Sequence, residues 1–310
     1  MAKNTKLKTI LVKNETSYNA STTPTGSANA VQVTSLELTP IVADEVSRET
    51  IRPYLGNQEV LLANQRVEVS ITVEMAGSGT AGTAPKYSPL LESSGLALTT
   101  VSSTSNTYAP ESSDFGSCTI WCNYDGVLHK ISGCRGTFSI NLAVSEIPTI
   151  TFNMVGIKGT ITDAAPPTTT FNHQAKPVIV NSINTDSFSI FGYSGILQNW
   201  SFDMNNNVIY RELIGGSKSV LITDRTPSGS LSVEMPALSA HNFFTDAEGS
   251  STGTNTWRHN GGAGNIITCS CPQTDFSAPA YGDSDGIIML DIPFMATPSA
   301  ANNEFSLAFT

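Results

Sequence analysis

Charge is scarce in this chain. Asp, Glu, Lys and Arg make up 14% of its 310 residues, a density too low for a disordered acidic chain. Basic clusters are absent as well. The 16 Lys and Arg are outnumbered by 26 Asp and Glu, for a net charge of −10. A dedicated nucleic-acid surface needs phosphate-pairing cations, so specific nucleic-acid binding is not expected. The longest strongly apolar run is about Ile287–Leu290, far short of the ~20 residues a membrane helix needs. Lysines at the N-terminus have no apolar stretch behind them, so no secretory leader is read there. Five cysteines form no disulfide framework. Cys118, Cys122 and Cys134 with His129 match no zinc-module spacing, and without an export signal small buried thiols are the reading. There is no nucleophile elbow and no paired-carboxylate motif. Neither an enzyme nor a bound cofactor or metal is expected.

What is present is alternation. In Arg66–Met75, Val67, Val69, Ile71, Val73 and Met75 share one face, while Arg66, Glu68, Ser70, Thr72 and Glu74 share the other. Strict period two over ten residues is a strand with one apolar and one polar face. Ser230–Met235 repeats its end in the same phase. Reading backwards, Val60-Leu-Leu62 stands against Val220-Leu-Ile222, and Arg52 and Gly56 against Arg211 and Gly215. Each strand is followed by one short helical stretch, Ser88–Gly95 and Ser239–Gly249, with a serine placed to cap its start and a glycine where the chain leaves. Late in each copy comes a buried-looking strand, Ile147–Met154 and Gly286–Met295. The chain therefore reads as two tandem copies of one β-rich unit, each near the common domain size.

The expected organisation is an N-terminal arm at 1–30, a first β domain at 31–160, a Pro/Thr-rich linker at 161–177 and a second β domain at 178–310. The arm is polar apart from Ile10-Leu-Val12 and either docks on a neighbouring subunit or hangs loose. Residues 100–116 and 250–264 read as polar loops. Cys118–Lys130 reads as a hairpin turning at Asp125-Gly126, the dipeptide that favours a tight turn.

Gly77-Ser-Gly-Thr-Ala-Gly82 fits the dinucleotide pattern G-x-G-x-x-G after a strand. That fingerprint needs a helix opening at once within a parallel unit, and Pro85 intervenes here. A flexible loop whose Gly77, Gly79 and Gly82 reach another subunit or ring is the better reading. Asp283-Ser-Asp-Gly286 lacks the remaining ligands of a calcium loop and reads as a turn.

Several stretches resemble the major tail tube proteins of long-tailed, siphovirus-like bacteriophages. They are Ile51–Gly56, Val60–Gln65, Ala76–Pro85, Thr23–Gly26, Asp125–Lys130, Phe191–Gly195 and Tyr281–Leu290. Many members of that family carry one tube domain, and this chain reads as two. The resemblance implies a mainly β fold, with two tandem β-sandwich or split-barrel domains, each with one short helix. It implies a structural virion protein, assembled in the host cytoplasm, that stacks in rings to form the tail tube. Two domains per chain imply a homotrimer ring with pseudo-hexameric symmetry. The implied partners are other copies of the chain, a tape measure protein, tail terminator and distal tail proteins, and double-stranded DNA passing during ejection without specific binding.

On this reading Glu68, Ser70, Thr72, Glu74, Ser232 and Glu234 line the lumen; the other reading has them facing solvent or another subunit. The alternative function is a non-enzymatic decoration or carbohydrate-binding virion protein, which requires a solvent-facing aromatic cluster.

Overall fold

A computed structural model describes residues 2–20 and 22–310. The arm and first repeat copy supply β1 (Lys8–Asn14), α1 (Gly26–Asn29), β2 (Ser35–Ser47), β3 (Val60–Glu74), α2 (Ser88–Glu92), β4 (Leu96–Val101), β5 (Ser105–Pro110), β6 (Cys118–Tyr124), β7 (Val127–Ala143) and β8 (Thr149–Asp163). The second copy supplies β9 (Ser187–Ile190), β10 (Leu197–Asp203), β11 (Asn206–Arg211), β12 (Ser219–Arg225), β13 (Ser228–Glu234), α3 (Phe243–Glu248), β14 (Thr252–Asn260), β15 (Ile266–Phe276), β16 (Ala280–Ser284), β17 (Ile287–Ala296) and β18 (Ser306–Phe309). The fold is mainly β, and its strand pairings are antiparallel.

The alternation in β3 does what its pattern dictates. Val67, Val69, Ile71 and Val73 are buried, and each neighbour between them stays partly exposed. β3 pairs with β2 on one side and β8 on the other; β8 pairs with β7. The second copy repeats this order as β10, β13, β17 and β16. Positions correspond residue by residue. Ile71 lies between Leu36 and Phe152, and Leu231 lies between Trp200 and Ile292.

The two sets of four strands are joined. β7 pairs with β10 from Ser139↔Asp203 to Ala143↔Asn199. One continuous sheet therefore runs β2-β3-β8-β7-β10-β13-β17-β16 through the chain. β1–β6, β14–β9 and the β4–β5–β18 ladder extend it through β7 and β15. The core is one contiguous cluster drawn from both copies. Val69, Ile71, Phe138, Phe152, Trp200, Phe202, Leu231 and Phe294 meet Leu90 and Leu91 of α2, Tyr108, Trp257 and Phe305 in it. Burying each large apolar side chain contributes about 1.5–3 kcal/mol, and the cluster spans the join.

Both predicted helices exist, but neither is capped by the expected serine. Tyr87 is the N-cap of α2, with Ser88 as its first residue; Ser88 Oγ donates to Glu92 and accepts from the buried Tyr108 hydroxyl. Asn242, not Ser239, caps α3 by accepting from Thr245 N–H. The arm is more than a loose end: its apolar patch forms β1, which pairs with β6 of the same chain and buries Ile10, Leu11 and Val12. The stretches read as polar loops are strands in large part. In β5 the inward positions are Asn106, Tyr108 and Pro110; in β14 they are Asn255, Trp257 and His259. Polar and mixed side chains at inward positions hide the alternation that aliphatic ones reveal. Asp125-Gly126 and Asp285-Gly286 both turn hairpins with positive φ at each residue, the requirement of the mirror-image tight turn.

Candidate functional site

The continuous sheet has one face in the core and one outside it. Cross-strand partners share a face, so the outer face can be followed strand by strand. It runs from Ser35, Glu37 and Thr39 to Glu68, Ser70, Thr72 and Glu74, then Thr149, Thr151 and Asn153, then Thr137, Ser139 and Asn141. Across the join it continues through Asn199, Ser201 and Asp203 to Ser228, Ser230, Ser232 and Glu234, and ends at Asp291 and the facing edge of β16. All six residues expected from the sequence to line a lumen, Glu68, Ser70, Thr72, Glu74, Ser232 and Glu234, lie on this side of the sheet in two groups with three strands between them, and Ser232 is buried there.

Its chemistry is mostly polar from β2 to β13 and turns apolar on β17, where Met289, Pro293 and Met295 face Glu234, Ser230 and Ser228. Glu37, Glu68, Glu74, Asp203, Glu234 and Asp291 supply carboxylates, and the rest is mostly Ser, Thr and Asn. Hydroxyls are tied laterally: Ser70 Oγ donates to Asn153 Oδ1 at 2.9 Å, the Thr72 and Thr151 hydroxyls lie 3.1 Å apart, and those of Ser201 and Ser230 2.9 Å apart. Basic groups stand only at its end and are engaged. Arg66 Nε donates to Glu68 at 3.1 Å. The Arg135 guanidinium donates to the carbonyls of Phe115, Gly116 and Val220 and stacks over Tyr18. Such a surface is acidic, wettable and without cationic anchors. Glu37, Asp203 and Asp291 escaped the sequence reading, because the repeat did not show which strands flank β3 and β13.

The glycines of the Gly77–Gly82 loop make their contacts inside the chain. Gly77 N–H donates to Asn265 Oδ1 at 2.6 Å and Gly79 N–H to the Gly264 carbonyl at 3.0 Å. A Cβ on Gly77 would come within 2.2 Å of that carbonyl, and one on Gly82 within 2.3 Å of Ser103 N. Close backbone approach explains Gly77 against the second copy and Gly82 against Ser103 of its own copy. Trp200 and Trp257 are buried and form an edge-to-face pair at 5.4 Å, while Trp121 lies under Lys130. The five cysteines are buried and free; burial pushes the Cys122 thiol up to about 12. Among the described residues no cluster of metal-ligating side chains occurs, and no helix is long and apolar enough to cross a membrane.

Among the described residues β2 has no strand partner but β3, and β16 none but β17, although on the outer edge of β2 the Leu36 carbonyl accepts from the Lys8 and Tyr124 side chains. An open edge is a template for another strand. The family model described as phage tail tube protein matches residues 5–296, and the chain belongs to that family. It is a structural component of the phage tail, in a family that is not normally enzymatic. No curated protein sequence matches the chain.

Proposed function

We propose that this protein assembles into stacked rings of three chains that form the tail tube, with the acidic sheet face lining a lumen through which DNA passes. The observation that carries this reading is the fused eight-stranded sheet with an unpaired strand at each end. Pairing β2 of one chain with β16 of the next removes both edges, and cyclic closure removes all of them.

Barrel geometry supports three chains per ring. Strands lie ~4.8 Å apart and tilt by about 35–45° in barrels. Three chains of eight strands each then close a wall with a backbone diameter on the order of 45–50 Å. Six chains would double it and hold a central duplex far beyond the ~8 Å Debye length of the wall. At the smaller width the carboxylates repel phosphate within reach, and no lysine or arginine holds it. Each phosphate paired with a cation adds about 0.9 to the salt slope of binding, so even a few per ring would trap DNA along a stack. Tape measure protein before ejection, and terminator and distal tail proteins at the two ends, are the partners such a tube meets; assembly takes place in the host cytoplasm.

Negative-stain electron microscopy tests this reading. Rings or tubes with a stain-filled centre are expected from purified protein at high concentration, or on addition of a tail-tip initiator. A protein that stays monomeric under both conditions contradicts it.

A further inference from the structure

The chain contains a junction between its two copies and lacks the partner for an equivalent one at its ends. Leu36 occupies in the first copy the place of Trp200 in the second, since they face Ile71 and Leu231. Ile140 and Tyr281 likewise correspond: each faces a residue, Ile150 or Leu290, that in turn faces Val73 or Val233. The internal junction sets Trp200 opposite Leu142 and Phe202 opposite Ile140.

We infer that the same junction is repeated between chains. β2 of one copy pairs antiparallel with β16 of the next, in the register Ser35↔Ser284, Leu36↔Asp283, Glu37↔Gly282, Leu38↔Tyr281 and Thr39↔Ala280. The inference rests on the ring reading above and names the residues that close it.

Four separate features of the chain fit this register. In the internal junction Val144 N–H donates to Gln198 O and Met204 N–H to Phe138 O, both at 3.0 Å, so even-numbered residues of β10 carry the hydrogen bonds to β7. The corresponding Leu36 carbonyl should point out of the β2–β3 ladder. It does, and within one chain it accepts from Lys8 Nζ at 3.1 Å and from the Tyr124 hydroxyl at 3.4 Å, side chains that give way when the next chain's Asp283 N–H takes it. Secondly, Ile140 is 2% exposed while Tyr281 is 67% exposed. The tyrosine lacks the neighbour that its counterpart has in Phe202, and Leu38 is that neighbour across the chain boundary.

Thirdly, the hairpin beyond the junction packs in one copy and is bare in the other. β11–β12 lies against the first copy, where Val220 is 0% and Ile222 9% exposed; their counterparts Val60 and Leu62 on β3 are 46% and 48% exposed. The β2–β3 hairpin has apolar side chains waiting for the next chain's second copy. Lastly, the ladder has a matched stop. Pro40 and Pro279 face each other one pair beyond Thr39↔Ala280 in this register, and neither has an N–H to offer.

The test is disulfide trapping. Ser35 and Ser284 form a non-hydrogen-bonded pair in this register, with side chains on the same face. Within one chain they stand at opposite ends of the sheet, on the order of 30 Å apart at ~4.8 Å per strand. A disulfide needs Cα atoms within about 7 Å, so it can form only between chains. Assembled Ser35→Cys/Ser284→Cys protein is oxidised and run on a denaturing, non-reducing gel. Covalent dimers and trimers are expected, with monomer only from Glu37→Cys/Ser284→Cys, which is slipped by two residues. Ala143→Cys/Asn199→Cys, the internal equivalent, should close within the chain and serves as the positive control. Cross-linking by the slipped pair overturns the register. Rings of wild-type-like mass with no 35–284 product, while 143–199 closes, overturn the proposed pairing but leave the ring intact. Absence of rings in the wild type overturns the ring reading itself.

Discussion

The side-chain amide of Asn206 donates to the Gly136 carbonyl at 3.0 Å and to the Ser94 carbonyl at 2.7 Å. One residue of the second copy thus satisfies two acceptors of the first, and its own backbone N–H donates to Thr137 Oγ1 at 3.1 Å. The site is buried, so removing the amide strands both carbonyls. Asn206→Ala should destabilise the chain by about 1–3 kcal/mol, read as a lower urea midpoint. Unchanged stability would show that the join does not depend on this contact.

Val60 and Val220 make a matched pair of mutations. Val220→Asp buries a charge beside the Arg135 and Tyr18 contacts of the internal junction and should unfold or severely destabilise the chain. Val60→Asp changes an exposed residue, so its monomer should melt within about 0.5 kcal/mol of wild type. It should nevertheless assemble poorly, because the charge falls on the surface assigned to the next chain. Thermal unfolding and light scattering on both variants separate the two effects.

Reversing the sign of the sheet face tests its electrostatic role. Glu74→Lys combined with Glu234→Lys puts two cations per chain where the wild type has carboxylates. Assembled wild-type tubes should not retain double-stranded DNA. Variant tubes should retain it, with a salt slope rising by about 0.9 for each phosphate engaged. Equal DNA retention by both would place these residues away from the DNA path.

His259 gives the fold an acid-side sensitivity. It is buried, its Nε2–H donates to the Val178 carbonyl at 3.2 Å, and Nδ1 accepts from the Thr185 hydroxyl at 3.0 Å. Burial holds its pKa below the usual value for histidine. The unfolded chain therefore binds a proton that the folded chain refuses. This contribution is fully present above the unfolded pKa near 6.5 and is lost as pH falls below it, at no more than about 1.4 kcal/mol per pH unit. His259→Gln should flatten stability between pH 6.5 and 5 relative to wild type, measured by urea unfolding at each pH. A parallel decline in both proteins would assign the acid sensitivity elsewhere.

The repeat and the acidic strand were legible because aliphatic and polar residues alternate in sequence around Val73 and Val233, although Ser232 is buried as well. β14 was not, because its inward residues are Asn255, Trp257 and His259, which read as polar or mixed until a partner for each is known. Nor did β5 show itself, where Asn106 takes an inward place among Ser and Thr. The fusion of β7 to β10 was beyond reach for a different reason. Alternation reports which face a residue takes, never which edge pairs with which. The glycine loop was noticed for its composition, but its contact with Gly264 joins residues nearly 190 apart, a separation that no local pattern encodes.

In the proposed ring, one chain supplies two adjacent positions of a closed wall. Ring mass measured by light scattering on particles seen as rings in the microscope tests it most directly. Three chain masses per ring are expected, with six-fold features in projection. Rings of six chains would keep a tube but contradict the fused sheet as two neighbouring segments of its wall.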